Sequence, residues 1–148
     1  MRKKALLLGA TAVLAAALIA PSGASAGTLL TSHLNGKQIV NPSGGDPAGS
    51  ATVVLKVNRQ KARICWTLNY RKLTGIRGMF LHKGGPGQIA RPILTFFSGS
   101  KPTGAQGCVK NIKKRIVKRL KRKGSSHYLD ITTSKYPKGA VRGQLSRG

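Results

Sequence analysis

Acidic side chains are almost absent from this sequence. Its 148 residues include 27 Lys and Arg but only two acids, Asp46 and Asp130, so the net charge at pH 7 is +25. EF-hand calcium sites, two-metal nucleases and kinases need more carboxylates, which excludes those classes. A glycosidase would have to use these two acids as its catalytic pair. Apolar residues still form 40% of the chain, enough for a single folded domain rather than a disordered tail.

Long apolar runs are also missing, except at the N-terminus. Basic residues at positions 2–4 precede an uncharged apolar stretch over 5–20, and Pro and Gly at 21–23 lead to the small residues 24–26. This order is typical of a secretory signal peptide cleaved after residue 26. A membrane anchor is the alternative, but the run is short for a spanning helix, which needs about 20 residues. We therefore expect an exported, secreted or cell-envelope-associated domain over 27–148, with 24 basic and two acidic residues and a net charge of +22.

Cysteine is scarce too, since Cys65 and Cys108 are the only two. An even number of cysteines in an exported chain favours a disulfide. Two free thiols or a metal-binding pair are the alternatives, although a metal site needs more ligands than the neighbouring sequence offers. A disulfide closing this loop would stabilise the fold by about 4 kcal/mol in the chain-entropy model.

The rest of the chain has the pattern of many short strands. Residues 62–70 alternate strictly and place Ile64, Trp66, Leu68 and Tyr70 on one face, as in a half-buried strand. Other strands are predicted at 51–57, 79–82, 92–97, 128–133 and 140–145, with turns at 58–61 and 136–139. This pattern predicts an all-β fold, an antiparallel sandwich or barrel.

One segment, about residues 111–123, has helical periodicity instead. Ile112, Ile116 and Leu120 recur at steps of four, and Asn111 and Gly124 are the predicted caps. The opposite side of this short amphipathic helix is basic. Its eight cations, the candidate polyanion-binding residues, are Lys113, Lys114, Arg115, Lys118, Arg119, Lys121, Arg122 and Lys123.

Such a basic face is unfavourable for the isolated helix. Like charges four residues apart cost about 0.2–0.5 kcal/mol per pair, and a bound polyanion would reverse that penalty. Anionic polymers of the cell envelope or the extracellular matrix are the predicted partners. Nucleic acid is a weaker candidate because aromatic residues, which stack on bases, form only 5% of the chain. The competing interpretation is a general cationic bias without a dedicated site, since the 15 basic residues of 27–148 that lie outside 110–123 are spread along the sequence.

The three histidines offer little for catalysis. His33 and His127 lie in polar contexts and are predicted to be surface residues. His82 ends a strand before the glycine-rich segment 83–87 and is a weak candidate for a metal ligand or a base. No nucleophile elbow or phosphate loop is present. The sequence therefore predicts no catalytic residue and no cofactor.

Three motifs carry a family resemblance. Residues 34–38 (LNGKQ), 80–87 (FLHKGGPG) and 136–145 (YPKGAVRGQL) are similar, in that order, to L-x-G-x-Q, H-I-H-x-G-x-x-G and Y/F-P-x-G-x-[IV]-R-G-Q-L. Over about 28–146 the chain thus resembles the chordin-type (CHRD) domain family, especially its small secreted bacterial members. Cys65 and Cys108 also look like the paired cysteines of those members. The closing motif supplies the residues with an expected structural role: Tyr136, Pro137, Gly139, Arg142, Gly143 and Gln144.

The chain departs from that pattern where histidines would cluster. Phe80, Thr132 and Ala140 stand where the family often has His, His and an acid, so His82 is left alone. With so few acids, we expect Arg142 to bond to backbone carbonyls. The resemblance implies an all-β, immunoglobulin-like or barrel-like extracellular domain without a defined enzymatic activity. We therefore expect a non-enzymatic binding module. The alternatives are a degenerate metal or redox domain around His82 and a cationic protein that acts on cell envelopes.

Overall fold

The computed structural model describes residues 27–100 and 105–148, so the predicted signal peptide lies outside the described residues. The described residues form eight strands and one α-helix, α1, which spans Lys114–Lys123. The strands are β1 (Thr28–Asn35), β2 (Ser50–Asn58), β3 (Arg63–Arg71), β4 (Ile76–Lys83), β5 (Pro92–Ser98), β6 (Gln106–Val109), β7 (His127–Thr133) and β8 (Val141–Arg147).

The eight strands form one antiparallel sheet in the order β5-β4-β7-β8-β1-β2-β3-β6. The sheet curls until its two edge strands approach each other. Near this seam Trp66 of β3 packs against Phe97 of β5, with ring centroids 5.3 Å apart. The result is a nearly closed barrel filled by alternate aliphatic side chains, which confirms the predicted all-β fold.

The predicted strands are present, each with ends within three residues of those expected. In β3, Ile64, Trp66 and Leu68 face the core as predicted, whereas Tyr70 is exposed. Two strands were not predicted. In β1 the inward row is interrupted by the buried Ser32, which weakens the apolar alternation. The other, β6, has only four residues and is held to β3 by the predicted disulfide between Cys65 and Cys108, which the structure confirms.

The helix is present, but its predicted N-cap, Asn111, is wrong, whereas Gly124 is the C-cap residue as predicted. Asn111 lies before the helix in a left-handed conformation, with φ of 55°, and α1 begins at Lys114 without a side-chain cap. At the other end Gly124 stays right-handed, and the chain continues into a 3-10 turn over Gly124–Ser126. The glycine is needed there for space, because a Cβ would lie 2.9 Å from a methyl group of Leu30. Close packing, rather than a turn conformation, therefore explains this glycine.

Helix α1 lies across one end of the barrel, where β2 ends and β3 begins. Val117 and Leu120 are fully buried against this end. The backbone N–H of Ile112 donates to the carbonyl of Ala62 at 3.0 Å, and the Arg147 side chain donates to the carbonyl of Lys121 at 2.9 Å. These contacts fix the helix on the sheet, so its polar side must face outward.

Candidate polyanion-binding surface

Seven of the eight predicted cations lie in α1, and the eighth, Lys113, directly precedes it. The surface that these eight residues form is here called the α1 basic face. Seven of them are exposed, and Lys121 is half-buried. The buried side of the helix sets this orientation, because Val117 and Leu120 can pack only toward the barrel. The structure thus brings together every residue that the sequence assigned to this face.

No carboxylate neutralises the α1 basic face. Asp46 accepts hydrogen bonds from the backbone N–H groups of Ala48 and Gly49, both at 3.0 Å, within its own loop. Asp130 lies 3.0 Å from His82 on another part of the barrel. Since these are the only two acidic side chains in the chain, no ion pair between an acidic side chain and the α1 basic face occurs in the described residues.

A groove of about 460 Å³ runs between α1 and the adjoining ends of β4 and β7. We call it the basic groove. Arg115, Arg119 and Arg122 line it from the helix, and Lys83 lines it from β4. Sequence reasoning did not assign Lys83 to the site. The pairing of β4 with β7 could have indicated it, because Lys83 lies directly opposite His127, which is four residues after the last residue of α1.

A second concavity, of about 370 Å³, extends the positive surface to the other flank of the helix. Lys114 and Lys121 line it together with Arg59 from the β2–β3 turn. The β-turn therefore adds a cation that is distant in sequence. Because side chains on both flanks join the helix, the positive region is wider than the helix alone.

His127 is not the surface residue that the sequence predicts. It is 1% exposed, at the start of β7 beneath the helix end. Its Nδ1 lies 3.0 Å from the carbonyl oxygen of Lys123, to which it donates, and the buried Nε2 has no hydrogen-bond partner in the described residues. Burial lowers the pKa of His127, and the positive charges of Lys83 and Arg119 act in the same direction. The polar sequence context was misleading because His127 continues the inward row of β7.

His82, the weak metal candidate, belongs to a different cluster on the outer face of the sheet. Its Nδ1 lies 2.8 Å from the carbonyl oxygen of Ala90, and its Nε2 lies 3.0 Å from Oδ2 of Asp130. Its ring stacks on Tyr128, with centroids 4.6 Å apart. Phe80 and Thr132 add no ligand, and no group of three or more His, Cys, Asp or Glu occurs in the described ranges. A metal ion at this position would therefore have only His82 and Asp130 as side-chain ligands from this group of residue types in the described ranges.

The closing motif fastens the glycine-rich loop over this cluster. Arg142 is 4% exposed and donates to the carbonyls of Gln88 at 2.7 Å and Gly85 at 2.9 Å. Its guanidinium also lies over the Tyr128 ring, 3.5 Å from the centroid. Burial lowers the pKa of Arg142, whereas Tyr128 and Asp130 raise it. The expectation that Arg142 bonds to backbone carbonyls is confirmed.

The neighbouring motif residues have related structural roles. Gln144 donates to the carbonyl of Gly84 at 2.6 Å and to that of Ser125 at 2.9 Å, so it joins the loop to the turn after α1. Gly139, with φ of 123°, closes the turn that begins at Tyr136 and Pro137. A Cβ at Gly143 would clash with the backbone of β1. The motif therefore builds the scaffold and contributes no side chain to the basic groove.

In a comparison with known families, the family model described as CHRD domain matches residues 30–145. Searches of curated proteins and of solved structures returned no match. No helix in the described part of the chain is long and apolar enough to cross a membrane.

Proposed function

Because the chain belongs to the CHRD domain family, we propose that it is a secreted, non-enzymatic binding module that attaches to anionic polymers of the cell envelope or extracellular matrix. The α1 basic face is the attachment surface in this proposal. CHRD domains are non-catalytic modules and occur in extracellular proteins, which supports the general class. The polymer partner and the surface are inferred from the charges.

The observation that carries the proposal is the uncompensated charge on α1. A helix in an ordinary domain carries acids among its basic residues, because pairs of opposite charge stabilise it. Here the first turn has no acid to complement the helix dipole, and the like charges of Lys114 and Lys118 are four residues apart. Repulsion between them costs about 0.2–0.5 kcal/mol. A polymer with regularly spaced negative charges removes this repulsion when it binds.

The geometry favours an extended partner over a small one. The basic groove and the second concavity lie on opposite flanks of α1, and both are open. A linear polyanion that crosses the helix can contact both. Its binding releases condensed counterions, so the affinity should fall steeply as the salt concentration rises.

The test compares two variants of identical net charge. In the face variant, five residues are replaced by Gln: Lys114, Arg115, Lys118, Arg119 and Arg122. The control variant has Gln at five exposed cations near the opposite end of the barrel: Lys37, Arg71, Lys72, Lys135 and Lys138. Binding to polyphosphate and to dextran sulfate is measured by titration calorimetry at physiological salt, with circular dichroism to confirm folding.

We expect the face variant to lose at least about tenfold more affinity than the control variant, because each lost contact removes counterion release at the surface where the polymer lies. Equal losses in both variants would contradict the proposal and would show that the charge acts as a diffuse field. Leakage of anionic vesicles at the same protein concentration would instead favour a cationic protein that acts on cell envelopes.

A further inference from the structure

His127, one of the residues that line the basic groove, has a side-chain atom that the polymer proposal leaves unexplained. The Nε2 of His127 is buried and has no hydrogen-bond partner in the part of the chain that the structure describes. A buried polar atom without a hydrogen-bond partner destabilises the folded state. His127 lines the groove together with Lys83, Arg119 and Ser126. A ligand that supplies the missing partner would therefore be favoured at this point.

The hydrogen bonds of the ring determine what that partner must be. Nδ1 is 3.0 Å from the carbonyl oxygen of Lys123, which can only accept, so Nδ1 carries the proton. In the neutral ring Nε2 is then an acceptor. The charged groups that face the ring are Lys83 from β4 and Arg119 from α1, and both disfavour a second proton on it. The unbound site therefore presents cations around a hydrogen-bond acceptor.

We infer that the basic groove is a binding site for a phosphomonoester group, whose remaining proton is shared with the Nε2 of His127. This inference rests on the proposed function and specifies the chemistry of the anion. A phosphomonoester has a second pKa near 6, so it can keep one P–OH proton at a modest energetic cost. It can donate that proton to Nε2 while its other oxygens accept from Lys83, Arg115 and Arg119. A phosphate dianion bound to a protonated imidazole contains the same number of protons as a phosphate monoanion bound to a neutral imidazole. The two descriptions therefore refer to the same complex.

A sulfate ester or a phosphodiester does not fit in the same way. Neither keeps a proton near neutral pH, so each meets the Nε2 lone pair with its own lone pairs. Such an anion binds well only after His127 takes up a proton from solvent, which Lys83 and Arg119 oppose. The walls of the groove are long Lys and Arg side chains, which can rotate to admit the anion. The groove therefore distinguishes phosphate from sulfate by a proton, although the charges are similar.

The experiment titrates the protein with inorganic phosphate and with sulfate at constant ionic strength, between pH 5 and pH 8. Binding is followed through the imidazole NMR signal of His127 and by calorimetry. At pH 7.5 we expect phosphate to bind at least about tenfold more tightly than sulfate and to shift the His127 signal saturably, as one hydrogen bond to a charged group predicts. The difference in affinity between phosphate and sulfate should become smaller at lower pH, because the protonated His127 can donate a hydrogen bond to either anion.

The matched variants are His127→Asn, in which the amide can replace the Nδ1 donor but no acceptor replaces Nε2, and Lys83→Gln. His127→Asn should abolish the preference for phosphate over sulfate. Lys83→Gln should weaken the binding of both anions but leave that preference unchanged. Lys37→Gln at the far end of the barrel should change neither. Unfolding by urea checks that each variant is folded.

Equal affinities for phosphate and sulfate at every pH, or no change at His127 on binding, would overturn the inference. If the protein binds phosphate and sulfate equally well but the face variant still loses affinity for the polymer, then only this inference fails. If phosphate binds as described but the face variant binds the polymer as tightly as the control variant does, then the polymer proposal fails. The assignment of the basic groove as a phosphate-binding site is then still supported.

Discussion

Replacement of Arg142 by Met tests whether the closing motif acts as a fastener. The substitution keeps much of the aliphatic volume but removes the donors to the carbonyls of Gln88 and Gly85, at 2.7 and 2.9 Å, and the cation above Tyr128. Because Arg142 is 4% exposed, its bonds are shielded from water. The glycine-rich loop would lose its main attachment to β8.

The expected loss follows from these contacts. A hydrogen bond from a charged donor contributes about 1.5–3 kcal/mol, and a cation over an aromatic ring adds about 1 kcal/mol. The loop is partly exposed, so the freed carbonyls regain water and the loss is less than the sum. We expect the free energy of unfolding to fall by about 3 kcal/mol, or the melting temperature by about 10 °C.

Urea denaturation measures the global loss, and amide hydrogen exchange locates it. Exchange should accelerate in the loop between β4 and β5 while the β2–β3 hairpin is unchanged. Arg147→Met is the matched control, because the exposed Arg147 makes one bond, to the carbonyl of Lys121; it should cost under about 1 kcal/mol. A change below about 0.5 kcal/mol for Arg142→Met, with unaltered exchange, would refute the fastener role.

Three further predictions concern the scaffold. Leu120→Ala empties a fully buried site beneath α1, so urea unfolding should show a loss of about 2–5 kcal/mol, whereas the exposed Arg122→Ala should cost under about 0.5 kcal/mol. Replacing both Cys65 and Cys108 by Ser opens a 43-residue loop and should cost about 4 kcal/mol in the same assay; a loss below about 1 kcal/mol would contradict that reasoning. The lowered pKa of His127 means that the unfolded chain binds the extra proton more readily. Stability should therefore fall as pH drops below about 6.5 toward the folded-state pKa, and His127→Asn should flatten that part of the profile.

The barrel was largely predictable because its signals are local. Alternation in β3 and the turn before it depend on neighbouring residues, and two cysteines in a chain that is predicted to be exported favour a bridge between Cys65 and Cys108. The amphipathic pattern of α1 likewise indicated which side would be buried. These features need no knowledge of distant contacts.

Other features depend on contacts between residues that are distant in sequence. The space that requires a glycine at position 124 is limited by the side chain of Leu30. The burial of His127 depends on α1 folding over the barrel end, and the recruitment of Lys83 depends on the β4–β7 register. Polar neighbours in the sequence indicate that a side chain is exposed only if no other element of the fold packs against that side chain. Three of the eight residues that line the basic groove, Lys83, Ser126 and His127, could therefore be assigned to it only from the three-dimensional structure.

The most direct test of the central claim is the salt dependence of polyphosphate binding in the face variant and the control variant. The slope of log affinity against log salt concentration counts the neutralised polymer charges, at about 0.7 per contact for a single-stranded polyanion. The account predicts that the face variant loses up to about 3.5 from the magnitude of this slope and that the control variant keeps the wild-type value. Equal slopes in the two variants would show that α1 carries no dedicated polyanion-binding surface.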